Sequence, residues 1–248
     1  MRTYRRLSIF LILLGVALHA QAQQPAATPP PLPPGPLINR APDPAQWLVS
    51  VKSGSTSTDP APIPDPRAKY DKRMLVRKSG AIRYEILVDG TGQRLDRWFM
   101  GIAEATFYPG QNDPVVTMEG ATIGAGGRTN YTDYSKSDFP DFDWITAGNY
   151  TGIQTCSGLT CIVFHDGPAT LASPAANAAA PPVPVTGKTA YIEIKSRLPV
   201  RLEVDDVANY YQWEQPPPTP LTLPQGVQDK LAAIQANAAR AAIAPAGP

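Results

Sequence analysis

Apolar and polar side chains alternate in short runs between about Lys72 and Glu214, and turn residues separate the runs. In one run Ile82, Tyr84, Ile86 and Val88 fall on the same side of an extended chain, while the residues between them fall on the other. Helical periodicity is nearly absent over this stretch. The alternation predicts an antiparallel β domain over residues 67–215, built from strands that each bury one face.

The later runs repeat the alternation, with apolar positions from Ile192 to Val204 on a candidate hairpin. Apolar side chains that share a sheet face are candidate contacts for a hydrophobic ligand. The predicted ligand-binding residues on the apolar sheet face are Ile82, Tyr84, Ile86, Trp98, Ile192, Ile194, Val200 and Leu202.

Helical spacing appears only near the C-terminus, within residues 216–248. A triple proline at 216–218 predicts a turn, and after it Val227, Leu231, Ile234 and Ala238 recur at spacings of four, three and four residues. Pro224 sits near the first turn, where its missing amide hydrogen costs nothing. We therefore expect a Pro-rich turn followed by a C-terminal helix.

The first 22 residues have the pattern of a secretory signal peptide. Three arginines precede an apolar stretch from Leu7 to Leu18, and Ala20-Gln21-Ala22 supplies small residues for cleavage. Twelve apolar residues rise about 18 Å as a helix, short of a hydrocarbon core of about 30 Å. We expect cleavage of residues 1–22 and export to the periplasm or the cell exterior, with no stable membrane span afterwards.

Two further segments interrupt the β pattern. Residues 23–66 contain 13 of the 29 prolines and are predicted to form an extended linker. Within it, residues 47–52 alternate like a strand, either the first strand of the sheet or an edge strand docked onto it. Residues 167–187 contain an Ala/Pro run without amphipathic period and are predicted to form a loop.

Composition and charge exclude some classes of protein. With 43% hydrophobic and 17% charged residues, the chain is not wholly disordered. Removing the three signal arginines leaves 19 basic and 21 acidic residues, and this balance offers no electrostatic basis for binding nucleic acid. No later apolar stretch is long enough to span a bilayer.

The two cysteines, Cys156 and Cys161, flank four residues of a candidate hairpin turn. In an exported protein, cysteines so placed predict a structural disulfide. A thioredoxin-type motif needs only two residues between the cysteines, and a zinc site needs a second pair of ligands, so the spacing favours neither.

Candidate catalytic and metal-binding residues are few. His165 is the only histidine after the predicted signal peptide, and the chain has no Gly-x-Ser-x-Gly nucleophile motif. Asp138, Asp141 and Asp143 are clustered, but their spacing fits no EF-hand, and a solvated acidic loop is the simpler interpretation. The sequence therefore predicts no catalytic residue, no metal site and no cofactor, and we expect a protein that is not an enzyme.

The order of segments resembles the periplasmic half-barrel proteins of the LolA, LolB and RseB type. The resemblance is carried by Val76 to Tyr84, Arg97-Trp98, Tyr150 to Gly152, Thr189 to Ile194 and Leu198 to Leu202. It implies a mainly β fold, in which a curved antiparallel sheet of half-barrel or sandwich-like form shelters acyl chains or lipoproteins. Unlike the LolB type, the chain has no cysteine at the cleavage point, which argues against an acylated anchor.

Three functions follow as hypotheses. The first is an exported non-enzymatic protein that binds a lipid, lipoprotein or other hydrophobic ligand in the cell envelope. The second is an envelope module that binds another protein. The third is a hydrolase, which would need a nucleophile that the sequence does not identify.

Overall fold

A computed structural model describes residues 29–54, 71–118, 122–123, 127–128, 134–167 and 187–243. Two short 3-10 helices are present, Pro140–Phe142 and Ala147–Asn149. The other elements within these residues are β1 (Ala45–Ser53), β2 (Lys72–Ser79), β3 (Ile82–Asp89), β4 (Arg94–Met100), β5 (Ala103–Phe107), β6 (Val115–Met118), β7 (Thr122–Ile123), β8 (Gly127–Arg128), β9 (Tyr150–Cys156), β10 (Leu159–Asp166), β11 (Lys188–Glu193), β12 (Pro199–Val204), β13 (Val207–Glu214) and α1 (Gln225–Ile243).

Eleven of the strands form one curved, unclosed antiparallel sheet. Their order across the sheet is β6-β5-β4-β3-β2-β1-β13-β12-β11-β10-β9, and β7 and β8 pair with each other separately. Consecutive strands within each half are neighbours, as expected when short turns join antiparallel strands. The prediction of a mainly β protein with a curved antiparallel sheet and a C-terminal helix is confirmed.

Strand β1 lies in the middle of the sheet and joins its two halves. It pairs with β2 from Ala45 to Val51 and with β13 from Gln46 to Ser53. The candidate strand at residues 47–52 is thus a central strand and not an edge strand. Trp47 and Val49 are buried on the same face of β1, as the alternation of apolar residues predicts.

One side of the sheet, which we call the core face, carries the largest apolar cluster of the described residues. It includes Trp47, Val76, Phe164 and Ile192. Two irregular segments, residues 29–44 and 134–149, cover it. Their partly buried Leu37 and Ile38 and their buried Phe139 and Phe142 pack into the same cluster. The described part of the predicted linker therefore belongs to the core, because its leucine and isoleucine side chains bury apolar area there.

The opposite side, which we call the helix face, packs against the C-terminal helix. Tyr84, Trp98 and Ala105 form a cluster with Val227 of α1, and Leu231 packs beside them. Val227 is fully buried, whereas Leu231 and Ile234 are partly buried, so these three predicted positions face the protein. The side chain of Ala238 lies outside the described residues.

Several predictions concern residues that the structure does not describe. The signal peptide at residues 1–22, residues 23–28 and 55–66 of the linker and residues 168–186 of the loop lie outside the described residues, and these assignments stay predictions. In the part of the chain that is described, no helix has both the length and the apolar character needed to cross a membrane.

Candidate ligand-binding cleft

The hydrogen-bonded ladder between β12 and β13 opens partway along the sheet. Its pairs run from Val204 opposite Val207 to Arg201 opposite Tyr210, and beyond Tyr210 strand β13 is paired only with β1. Strand β12 begins at Pro199, which has no backbone N–H to donate. The two strands therefore separate at this end, and a gap forms between them.

A cleft of about 450 Å³ occupies this gap. This volume lies within the range of about 300–1,000 Å³ that is typical of small-molecule sites. Aliphatic and aromatic residues dominate the lining, with a few polar groups. The lining residues are Ser157, Leu159, Glu193, Ser196, Leu198, Val200, Tyr210, Tyr211, Gln212 and Trp213.

Hydrogen bonds hold the turn that forms one wall of the cleft. Glu193 donates its backbone N–H to the carbonyl of Leu198 at 3.0 Å, and its Oε2 accepts from Ser196 Oγ at 2.5 Å. Across the opening, Trp213 Nε1 donates to the carbonyl of Pro199 at 3.0 Å. These contacts hold the turn and link the start of β12 to β13.

Buried polar side chains on the helix face pack against Tyr210, one of the residues that line the cleft. Arg201 and Glu203 are both buried and form an ion pair. The Arg201 guanidinium carbon lies 5.0 Å from the ring centre of Tyr210 and 5.7 Å from that of Tyr191, within cation–π range. Burial raises the pKa of Glu203 and that of Tyr191. The packing fixes the Tyr210 ring beside the cleft.

The two cysteines lie on the β9–β10 hairpin, whose turn forms the other wall. Cys156 is opposite Leu159 and Cys161 is opposite Gln154, so the cysteines are diagonal neighbours. The structure holds both as buried free thiols. A hydrogen bond between them lowers the pKa of Cys156 to about 7, and the same bond, followed by burial, raises the pKa of Cys161. The disulfide between Cys156 and Cys161 stays a prediction.

The eight predicted ligand-binding residues do not share one face. Ile82, Tyr84, Ile86 and Trp98 lie on the helix face, where they pack near α1. Ile192, Ile194 and Leu202 belong to the core face. Of the eight, Val200 alone lines the cleft.

A register shift in the β11–β12 ladder explains the position of Val200. Tyr191 is opposite Arg201 while Ile192 is opposite Pro199, so Val200 is an extra residue in a β-bulge. It therefore packs with Cys161, Val163 and Tyr191 instead of following Leu202.

Most of the cleft residues were absent from the sequence prediction, in particular Leu159, Leu198, Tyr210, Tyr211 and Trp213. One signal for them was present. A proline at the start of a strand indicates an interrupted ladder, and Pro199 stands where the cleft opens.

The residues considered for chemistry have structural partners. His165 Nδ1 lies 3.0 Å from Thr189 Oγ1 on the next strand. Asp138 accepts hydrogen bonds from the backbone N–H of Ala41 at 3.0 Å and from Lys78 Nζ at 2.9 Å. Within the described ranges, no three histidine, cysteine, aspartate or glutamate side chains are grouped so as to hold a metal ion.

Comparison with known proteins finds matches among solved structures only. No protein-family model matches the chain, and no curated protein matches it. Among solved structures, a LolA superfamily protein from Nitrosomonas europaea resembles it at 10% identity and a TM-score of 0.30, over 76% of this chain and 91% of that chain. The sequence resemblance names the same superfamily. At this TM-score the match carries no argument about function.

Proposed function

We propose that this protein is an exported, non-enzymatic binding protein for a lipid, lipoprotein or other hydrophobic ligand of the cell envelope, with the β12–β13 cleft as its site. The observation that carries the proposal is the cleft itself, a preformed opening of about 450 Å³ with mainly apolar walls. The signal-like N-terminus supports the exported location, and the mainly apolar lining supports binding of a hydrophobic ligand.

The energetics of such a site favour an acyl chain or a similar apolar group. Each methylene group that leaves water contributes about 0.8 kcal/mol. Hydrogen bonds hold the turn before β12 and link β12 to β13, so binding a ligand costs little conformational entropy at these residues. A short apolar segment thus suffices for measurable affinity.

A fluorescent reporter tests the proposal. N-phenyl-1-naphthylamine, a neutral apolar dye, is expected to bind the purified protein with enhanced emission. Leu159 lines the cleft and is 40% exposed, so Leu159→Arg should weaken dye binding about tenfold without unfolding the sheet. Ile102→Arg is the matched control, because Ile102 is a large, 54% exposed side chain outside the cleft lining.

Native mass spectrometry of the purified protein gives a second readout, a co-purified lipid. If neither dye nor lipid binds, the proposal is wrong. Equal loss of dye binding in Leu159→Arg and Ile102→Arg would also contradict it, since the site would then lie elsewhere.

A second candidate function, an envelope module that binds another protein, is favoured by edge strand β9. This strand ends the sheet, and its seven residues include no charged residue and no proline. Such an edge lacks the usual protection against pairing with another strand. Thr155 is exposed on β9, so Thr155→Lys should abolish a partner captured from envelope extract, whereas Gln111→Lys in an exposed turn should not. A partner retained by Thr155→Lys would exclude this edge.

A further inference from the structure

The polar part of the cleft has a definite electrostatic character. Among the described residues that line it, Glu193 alone carries a formal charge. The remaining polar groups are serine and tyrosine hydroxyls, a glutamine amide and an indole. Glu193 is half-buried, and Ser196 Oγ donates to one of its carboxylate oxygens. A ligand in the cleft thus meets a negative charge next to apolar walls.

The basic residues nearest to Glu193 in the chain lie outside the cleft lining. Arg197 is buried, and its Nη2 donates to the carbonyl oxygens of Pro34 at 2.6 Å and Pro33 at 3.3 Å, in the segment that covers the core face. Arg201 is buried in its ion pair with Glu203. Lys195 is exposed and lies outside the lining.

We propose that the cleft selects amphiphiles with an alkylammonium head group over amphiphiles with a carboxylate head group, and that Glu193 makes this selection. The inference rests on the proposed function, since it assumes that an apolar chain occupies the cleft. Glu193 and Leu198 both line the cleft and are joined by a backbone hydrogen bond, so a chain lying against Leu198 and Val200 would bring its head group close to Glu193. Apolar walls reduce the screening of that charge, so a cation is attracted and an anion is repelled.

Two competitors with the same dodecyl chain test the selection. Dodecylammonium and dodecanoate differ in head-group charge at about pH 7.5, where amines are protonated and carboxylic acids are ionised. Each is titrated, below its micelle-forming concentration, against bound N-phenyl-1-naphthylamine. Dodecylammonium should displace the dye at a concentration about tenfold lower than dodecanoate does, as expected for one hydrogen bond to a charged group.

Variants at Glu193 identify the responsible group. Glu193→Gln keeps an acceptor for Ser196 and should bring the two competitors to nearly equal potency, while Glu193→Lys should reverse their order. The affinity of the neutral dye should be unchanged in Glu193→Gln, which shows that the cleft is intact. Glu104→Gln on β5, far across the sheet, is the matched control and should keep the wild-type order.

Two results would overturn the inference while leaving the proposed function in place. One is a wild-type protein that binds dodecanoate as tightly as dodecylammonium, and the other is a preference that survives in Glu193→Gln. Failure of the dye itself to bind refutes the proposed function instead, and the inference falls with it.

Discussion

Glu85 is the centre of a buried charged network on the core face, and its replacement should strongly destabilise the protein. Its side chain is fully buried. One carboxylate oxygen accepts from Arg83 Nε at 2.8 Å and from the Tyr134 hydroxyl at 3.0 Å, and the other accepts from Arg97 Nη2 at 2.5 Å. Arg83 is itself buried, and its guanidinium carbon lies 3.9 Å from the ring centre of Tyr134.

The expected loss in the free energy of unfolding follows from the charges that remain after Glu85 is replaced. Glu85→Gln removes the negative charge and leaves the buried Arg83 cation without its carboxylate. Removing one partner of a buried ion pair costs about 3–5 kcal/mol. Arg97 is about one-third exposed, so water compensates part of its loss, and we expect about 3 kcal/mol in total. This is a large share of a domain stability of about 5–15 kcal/mol.

Replacing both charges should cost less than replacing Glu85 alone. When Glu85→Leu is combined with Arg83→Leu, no unpaired buried charge remains in that pair, and apolar replacements of buried ion pairs are often nearly neutral. The double variant should therefore be more stable than Glu85→Gln. A double variant that is more stable than Glu85→Gln indicates that the loss in Glu85→Gln comes from the unpaired buried charge.

Urea unfolding followed by tryptophan fluorescence gives the free energies. Glu104→Gln on β5, two strands from β3, is the control, because Glu104 is only half-buried, and it should change stability by less than about 1 kcal/mol. A loss below about 1 kcal/mol for Glu85→Gln, or a double variant less stable than Glu85→Gln, would refute the reasoning.

Three further predictions follow from single sites. In protein isolated without reductant, peptide mapping should find Cys156 linked to Cys161, and quantitative labelling of both thiols would contradict this. After reduction, the rate of alkylation of Cys156 should rise with pH through about 7, and Cys156 should be alkylated before Cys161. Gly187→Ala should cost about 1–3 kcal/mol more than Gly80→Ala in urea unfolding, because both have positive φ but only at Gly187 would a Cβ meet a backbone oxygen, at 2.4 Å; equal losses would refute this. Burial and a hydrogen bond to a carboxylate raise the pKa of Tyr84 to about 12, so its contribution to stability is present below about pH 10 and is lost as the pH rises towards 12. Tyr84→Phe should therefore lose less stability than wild type between about pH 10 and pH 12, and an unchanged loss would refute the assignment.

The pattern of apolar and polar residues is enough to predict the type and approximate position of most elements. Period-two alternation marks a strand with two unlike faces, and the run from Ile82 to Val88 falls within β3. The spacing from Val227 to Ile234 likewise falls within α1. These patterns are readable because each element must turn its apolar side towards other residues, whichever those residues are.

The pairing of strands that are distant in the chain, and the set of side chains that share one face of the sheet, follow from the tertiary structure. Alternation assigns a side chain to one side of its own strand, but it does not relate that side to the sides of distant strands. Ile82 and Ile192 thus lie on opposite faces of one sheet. Strand β1 became central because its partners β2 and β13 come from the two halves of the chain.

The cleft also depends on the tertiary structure. It forms where the β12–β13 ladder ends near Pro199, and its walls come from β13, from the turn before β12 and from the β9–β10 hairpin. The bulge that turns Val200 towards the cleft is a property of pairing with β11 and not of β12 alone. A local pattern such as Pro199 marks a point where a ladder can end, but it does not show a cleft there, because the separation of two strands is set by the register of their pairing and by the contacts of their neighbours.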